Sequence, residues 1–291
     1  MGGKNVYIDH KNCIKRRQCY QMRGKVFVVD LTYQLYRIMI GIKNKNRLAN
    51  KVIHKYIDTN LIDPNNNKSI DELIDYEDKV AHVIAICAFV ETCIDKCIFT
   101  IQVFDGKAPD IKRKKLEERK KLRERAIEES SKIKDKTSDN FIKQHKKSVE
   151  IKDIQFKEVM ELIRAMGLME VQSPGEADSQ CAAIASCLKN VDGIICEDSD
   201  VLIFGGPKVI KNFSRKNQTV NEVQLEDILE SLKVKANNIL KTHNKEQITE
   251  FREEYFIDTR ILLGTDYNDP IVGLEYNKLF DKYDLNNFNV I

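Results

Sequence analysis

Three short apolar runs along this chain each end in an acid. Val26-Phe27-Val28-Val29 runs into Asp30, Phe99-Thr100-Ile101-Gln102-Val103-Phe104 into Asp105, and Gly193-Ile194-Ile195-Cys196 into Glu197-Asp198-Ser199-Asp200. Runs of four to eight mostly β-branched and aromatic residues, without polar alternation, are the pattern of strands covered on both faces. Between them, apolar positions recur at helical spacing over 31–42, 77–97, 154–166, 177–188, 224–240 and 251–263. In the second of these, Val80, Ile84, Cys87, Val90 and Ile94 make one face. Strands alternating with helices predict an α/β protein with a mixed, mainly parallel sheet flanked by helices. Residues 201–204 and 208–213, divided by Gly205-Gly206-Pro207, read as a short hairpin-like pair at the sheet edge. Residues 64–67 read as a plain loop and 264–270 as a turn between helices. No internal repeat, P-loop or G-x-G-x-x-G pattern is present.

That topology changes the meaning of the acids. In open α/β sheets, ligands gather beyond the carboxyl ends of the strands. Asp30, Asp105, Asp198 and Asp200 follow strands, Glu176 and Asp178 open a helix after Ser173-Pro174-Gly175, and Asp266 sits in the late turn. Any one of them alone would be ordinary surface charge. Together at one edge they repel, and some would be forced to hold a proton. Hard divalent cations with oxygen ligands, Mg²⁺ or Mn²⁺, are the natural relief. Seven carboxylates exceed what one octahedral Mg²⁺ needs, so two ions about 4 Å apart fit better.

The charge distribution adds a substrate class. The 291 residues carry 48 Lys+Arg against 45 Asp+Glu, a net charge of +3 that selects no partner by itself. Residues 107–125, however, hold ten basic and four acidic side chains. Alone, such a run is a solvated helix with i,i+4 pairs such as Glu117 with Lys121. Beside a carboxylate cluster it suggests phosphodiester chemistry, with 128–150 continuing as a Ser- and Lys-rich helical insertion. No apolar run approaches the ~18 residues of a membrane span. The N-terminus shows no apolar signal stretch, and Val6 breaks a myristoylation pattern. Eight cysteines lack C-x-x-C spacing and five histidines are scattered, so reduced core thiols are expected, with neither a zinc site nor a disulfide framework.

Five segments, in order, carry a family resemblance: Val28-Val29-Asp30, Val103-Phe104-Asp105-Gly106-Lys107-Ala108-Pro109, Pro174-Gly175-Glu176-Ala177-Asp178, Cys196-Glu197-Asp198-Ser199-Asp200 and Leu263-Gly264-Thr265-Asp266-Tyr267. Together they resemble the structure-specific 5′ nucleases, namely flap endonucleases, exonuclease-one-type enzymes and XPG-type nucleases, from Lys25 to about Gly273. The resemblance implies a single PIN-like nuclease domain over 1–291. Its nuclease parts would be 25–105 and 151–263, its basic helical arch 106–150, and its shortened helix–two-turn–helix-like end 264–291. It implies metal-dependent hydrolysis of DNA at 5′ flaps, nicks or 5′ ends, in replication, repair or recombination. An RNA-directed 5′→3′ nuclease and a non-catalytic DNA-binding scaffold are the alternatives.

The same resemblance would group Asp105, Glu176 and Asp178 around one ion and Asp198, Asp200 and Asp266 around the other, with Asp30 reaching the site through water. Glu197 belongs to the motif without being a usual ligand. Lys112 and Arg119, seven and fourteen residues after Asp105, stand at the two catalytic basic positions and would share a helical face. Tyr36 matches an aromatic on which the base next to the cut stacks, although it also reads as a core tyrosine of an amphipathic helix. Lys43 takes a position usually held by Arg, and Lys107 and Arg113 join it as DNA contacts. Some features depart from the family. Gly3 to Ile8 replace the usual opening helix, and Glu275 stands where a glycine of the duplex-gripping turn is expected, so the K⁺ often bound there is not carried over. No Gln-x-x-Leu/Ile-x-x-Phe-Phe tail for a sliding clamp is seen before Ile291. The chain resembles a compact, divergent member such as those of large DNA viruses. That would place it inside the cell, in the nucleus or at a site of viral DNA replication, with DNA as its partner and no membrane.

Overall fold

In the computed structural model, residues 6, 10–43, 67–133, 140, 143, 144, 147–213, 218–242, 244 and 246–274 are described. The side chains of 41–43 and 67–79 lie outside that description. The sheet has seven strands: β1 (Lys15–Gln18), β2 (Val26–Asp30), β3 (Phe99–Phe104), β4 (Met169–Gln172), β5 (Gly193–Ile195), β6 (Lys208–Lys211) and β7 (Thr219–Gln224). Their spatial order is β1-β7-β6-β5-β2-β3-β4. The helices are α1 (Leu31–Lys43), α2 (Asn67–Asp95), α3 (Arg113–Lys132), α4 (Asp153–Ala165), α5 (Ala177–Cys187), α6 (Asp200–Ile203), α7 (Leu225–Thr242) and α8 (Glu253–Leu263).

The contacts group into two compact units. One comprises 1–30, 96–115 and 171–291; the other comprises 31–95 and 116–170. In the first, β2 runs parallel to both β3 and β5, and β5 parallel to β6. Phe27, Val28 and Val29 of β2 are completely buried, as the unbroken apolar run requires of a strand covered on both faces. Helix α5 packs on β2, β3 and β5 through Ala177, Cys181, Ala182 and Ala185, small residues that let the helix approach the sheet. Beyond β6 the sheet continues antiparallel through β7 and β1, with Lys15 opposite Glu222.

The second unit packs α1 and α4 on α2. There the buried imidazole of His82 on α2 meets Glu158 of α4 at 2.5 Å, and Gln155 approaches the other ring nitrogen at 3.4 Å. A buried ring with polar partners on both sides ties two helices without orphaned groups.

Several expectations are corrected. Residues 201–204 are not a strand of a hairpin: 201–203 belong to α6 and Phe204 follows it, because Val201 and Leu202 turn onto the core while Asp200 opens the turn. The strand Lys208–Lys211 pairs instead with β5 and β7. Strands β1, β4 and β7 were not anticipated, and what read as a helix beginning at 224 is the end of β7 followed by α7 from Leu225. Lys112 lies in a 3₁₀ turn, Asp110–Lys112, just ahead of α3, so it shares no face of that helix with Arg119. α3 closes at Lys132, and 134–139 fall outside the described residues, as do the loop 64–66, Gly3 to Asn5, Tyr7, Ile8 and Glu275.

Candidate active site: a carboxylate cluster at the strand ends

The register of the sheet decides where the acids go. Asp30 pairs with Val103 on β3, and Val29 with Ile195 on β5, so the three central strands end level. Asp105 then emerges two residues past Val103 and Asp198 three residues past Ile195, on the same edge. Asp30 is buried at the end of β2, where the Cys196 thiol donates to its Oδ2 at 3.6 Å. The same sulfur accepts the backbone N–H of Asp198 at 3.3 Å.

Asp105 is fixed by the loop that carries the next two acids. Its Oδ1 accepts the N–H of Ala177 at 2.7 Å, at the N-terminus of α5, where free N–H groups and the helix dipole favour an anion. Gln172 donates to the Asp105 carbonyl at 2.5 Å, and Gly106 N–H donates to the Gly175 carbonyl at 2.6 Å. A Cβ on Gly106 would lie 2.0 Å from the Ser173 carbonyl oxygen, so only glycine permits this approach. Ser173, buried, accepts from Gly175 N–H and donates to the Glu176 carbonyl, which shapes the turn before α5. Asp198 Oδ1 accepts the N–H of Asp200 at 3.1 Å and so holds the start of α6. Asp266 is buried in the turn after α8, where Gly264 takes φ +90° against Pro270.

The electrostatics match a crowded site. Asp178 is pushed up to about 7 by burial and then by the charge of Glu176. Asp200 is pushed up to about 6 by burial, then by Asp198 and Asp266. Lys112 brings a positive charge among them. Its Nζ is 2.5 Å from Glu176 Oε1 and 3.5 Å from Asp266 Oδ2, with the residue only 6% exposed. Burial alone would lower this ammonium's pKa; Glu176, Asp266 and Asp178 outweigh it and raise it. Among the described residues no three acid, imidazole or thiol groups stand as a ready-made ion cage. Of these acids, Glu176 and Asp266 stand against the ammonium. The chemistry of the seven acids nonetheless fits hard divalent ions: every donor is a carboxylate oxygen, and Asp178 and Asp200 are pushed up first by burial and then by neighbouring negative charge.

The structure therefore brings Asp30, Asp105, Lys112, Glu176, Asp178, Asp198, Asp200 and Asp266 into one unit at one edge. Lys107 and Arg113 are exposed on that unit, on the segment following Asp105. Tyr36 on α1 and Arg119 on α3, which is exposed, belong to the other unit. Lys43 closes α1, and its side chain is outside the described residues. Glu197 turns away from the cluster: its Oε1 accepts the N–H of Asn212 at 2.6 Å. Two residues given no part in the site by the sequence nevertheless belong beside it. Cys196 reads as one more core thiol, and Tyr267 as the motif residue after Asp266, yet both bond to acids of the cluster. For Tyr267 the adjacency to Asp266 was the available signal.

Comparison with known proteins gives the following similarities. The XPG I-region family matches residues 167–266, which hold Glu176, Asp178, Asp198, Asp200 and Asp266. Flap endonuclease 1 of Leishmania infantum is 27% identical over 282 residues, covering 96% of this chain and 62% of the relative. This chain thus spans about three fifths of that relative's length. Among solved structures, the catalytic core of Rad2 in complex with a DNA substrate superposes with a TM-score of 0.59 at 22% identity, covering 96% of this chain and 67% of that one. Flap endonuclease-1 from Methanococcus jannaschii gives 0.51 at 19% identity, covering 94% and 75%. The fold is the mixed, mainly parallel PIN-like sheet of these neighbours.

Proposed function

The chain belongs to the XPG-type 5′ nuclease superfamily, and from that premise we propose that it is a divalent-metal-dependent nuclease hydrolysing DNA phosphodiesters at 5′ flaps, nicks or 5′ ends. The observation that carries the reading is the level ending of β2, β3 and β5, which puts Asp30, Asp105 and Asp198 on one edge with Lys112 bonded to Glu176. In this reading Asp105, Glu176 and Asp178 hold one Mg²⁺ and Asp198, Asp200 and Asp266 the other, with Mn²⁺ able to substitute. Such ions, when bound, lower the pKa of water and offset charge developing on the phosphate.

The chain's own residues supply the rest. Asp30, buried and bonded to Cys196, orients water at the floor of the site. Lys112 exchanges a carboxylate for a phosphate oxygen, and the donated N–H bonds offset negative charge in the transition state. Arg119, at the family's second basic position, contacts the DNA phosphate, and Tyr36 stacks a base. Lys43, Lys107 and Arg113 contact the backbone, with the exposed positions adding sequence-independent affinity. The product ends are a 5′-phosphate and a 3′-hydroxyl. The protein would act where DNA is copied or repaired, in the nucleus or at a site of viral replication.

The test uses labelled flap, nicked, gapped and blunt duplexes in Mg²⁺, with a matched RNA flap and the Asp198→Ala variant alongside. Cleavage of the flap or nick is expected from the unsubstituted protein, and at least 10²-fold less from Asp198→Ala. Equal cleavage by both proteins would refute the reading. Preferential cleavage of the RNA flap would shift the substrate to RNA, and DNA binding without turnover would leave a scaffold.

A further inference from the structure

Lys112 and Glu176 meet at a third side chain. Glu176 is bonded through both oxygens: Oε1 to the Lys112 ammonium and Oε2 to the hydroxyl of Tyr267, which donates to it. The Tyr267 ring lies under that same ammonium, with Nζ 5.2 Å from its centroid. Within this distance the negative ring face attracts a cation.

The ring itself is held from two sides. Phe204, just after α6, packs edge-on against it, with centroids 5.9 Å apart and planes at 85°. The Tyr267 N–H donates to Thr265 Oγ1 at 3.1 Å, Thr265 bonds Asn268 at 2.7 Å, and Asn268 donates to the Ile261 carbonyl at 2.7 Å. The late turn is therefore clamped to the end of α8, which fixes the backbone from which the phenol extends, while Phe204 and Glu176 hold the ring. All of these residues lie in one compact unit.

We propose that Tyr267 is a positioning residue of the candidate site: its hydroxyl fixes which Glu176 oxygen faces the cluster, and its ring seats the Lys112 ammonium beside the acids. The inference rests on the nuclease reading above and deepens it. A ligating carboxylate whose second oxygen is hydrogen-bonded is oriented before the ion arrives, which strengthens binding. An aromatic face under Lys112 adds attraction without adding another negative charge. The ammonium can then turn from Glu176 to a phosphate oxygen while still resting on the ring. A further carboxylate in that place would hold it back.

Two variants separate the halves of the device. Tyr267→Phe keeps the ring and deletes the donor; Tyr267→Leu deletes both. Mn²⁺ titrated into metal-stripped protein by calorimetry reads the Glu176 half without catalysis. Tyr267→Phe is expected to weaken Mn²⁺ about tenfold. Tyr267→Leu should match that loss and lower kcat on the flap by roughly a further tenfold, with KM within about twofold, the size expected for a lost cation–π contact of ~1.4 kcal/mol. In a Lys112→Ala background, Tyr267→Leu and Tyr267→Phe should cleave at the same rate, because the ring then has no ammonium to seat.

Mn²⁺ affinity unchanged in Tyr267→Phe overturns the proposal. So does an equal gap between the two variants with and without Lys112. If the unsubstituted protein cleaves no DNA, the nuclease reading fails, while the Mn²⁺ titration still decides whether Tyr267 orients Glu176.

Discussion

Gly106 shows how little room the site leaves at the level of a single residue. It follows Asp105 directly, and a Cβ there would meet the Ser173 carbonyl oxygen at 2.0 Å and the Pro174 carbonyl carbon at 2.9 Å, both backbone atoms that no rotamer can move. Gly106→Ala must push the loop before α5 away from the end of β3, and with it Glu176 from Asp105. We expect a loss of about 1–3 kcal/mol in urea unfolding, the usual cost of overpacking, together with weaker Mn²⁺ binding. Full stability with normal Mn²⁺ affinity would mean that the two loops are not held at this distance. This steric demand is not legible in the residues themselves, since Asp-Gly also reads as an ordinary turn. The acids were legible because three apolar runs each end in a carboxylate, a combination that surface charge does not explain although any one of them alone would be ordinary. Cys196 and Tyr267 stayed hidden for the opposite reason: a thiol in an apolar run and an aromatic beside a helix end are common core residues, and only their bonds to Asp30 and Glu176 set them apart.

Elements differ in legibility according to how completely they are buried. β2, β3 and β5 were readable because both faces are covered, which forces an unbroken apolar run. β1 and β4, Lys-Arg-Arg-Gln and Met-Glu-Val-Gln, are short and half-exposed, so their composition matches that of loops. Val201–Phe204 was misread because four apolar residues carry no period, and helix and strand cannot be told apart over that length. The N-terminal region offers a prediction at this scale. The 3₁₀ turn Lys11–Cys13 packs on α7, and His10 ahead of it is buried, with the charges of Lys235 on α7 and Arg260 on α8 facing it. Burial first, and those two cations second, lower its pKa to about 4 from 6.5. The folded state thus refuses a proton that the unfolded chain accepts. Stability is full above about pH 6.5 and falls as pH drops towards 4, by about 3 kcal/mol at most for this group. Chemical unfolding at pH 7.5, 6 and 5 should show this decline, and His10→Gln should remove its His10 share. Identical slopes for both proteins would show that His10 is not sealed in the folded state.

For the whole molecule, net charge and local charge tell different stories. The chain carries +3, yet residues 107–125 alone carry ten basic against four acidic groups, +6, which leaves −3 for the remainder. Seven of the 45 acids gather in the candidate site, where cations are needed, while ten of the 48 basic residues lie on the segment that follows Asp105. A polyanion approaching such a molecule is attracted by one region and repelled by another until cations bind at the acids. Two consequences follow for DNA binding. Affinity should fall steeply with salt, because each neutralised phosphate contributes a slope of about −0.9 in log K against log[salt]; four contacts give a loss on the order of 10² between 50 and 200 mM. Replacing two exposed cations of α3 by Lys120→Glu and Lys121→Glu should flatten that slope by about two contacts. Divalent cations that do not support cleavage, such as Ca²⁺, should meanwhile strengthen binding by relieving repulsion at the carboxylates, an effect lost in Asp198→Ala. Fluorescence anisotropy of a labelled flap across salt, with and without Ca²⁺, measures both terms. A slope unchanged by the α3 substitutions would move the DNA contacts off the basic segment, and with them the case that it grips the strand being cut.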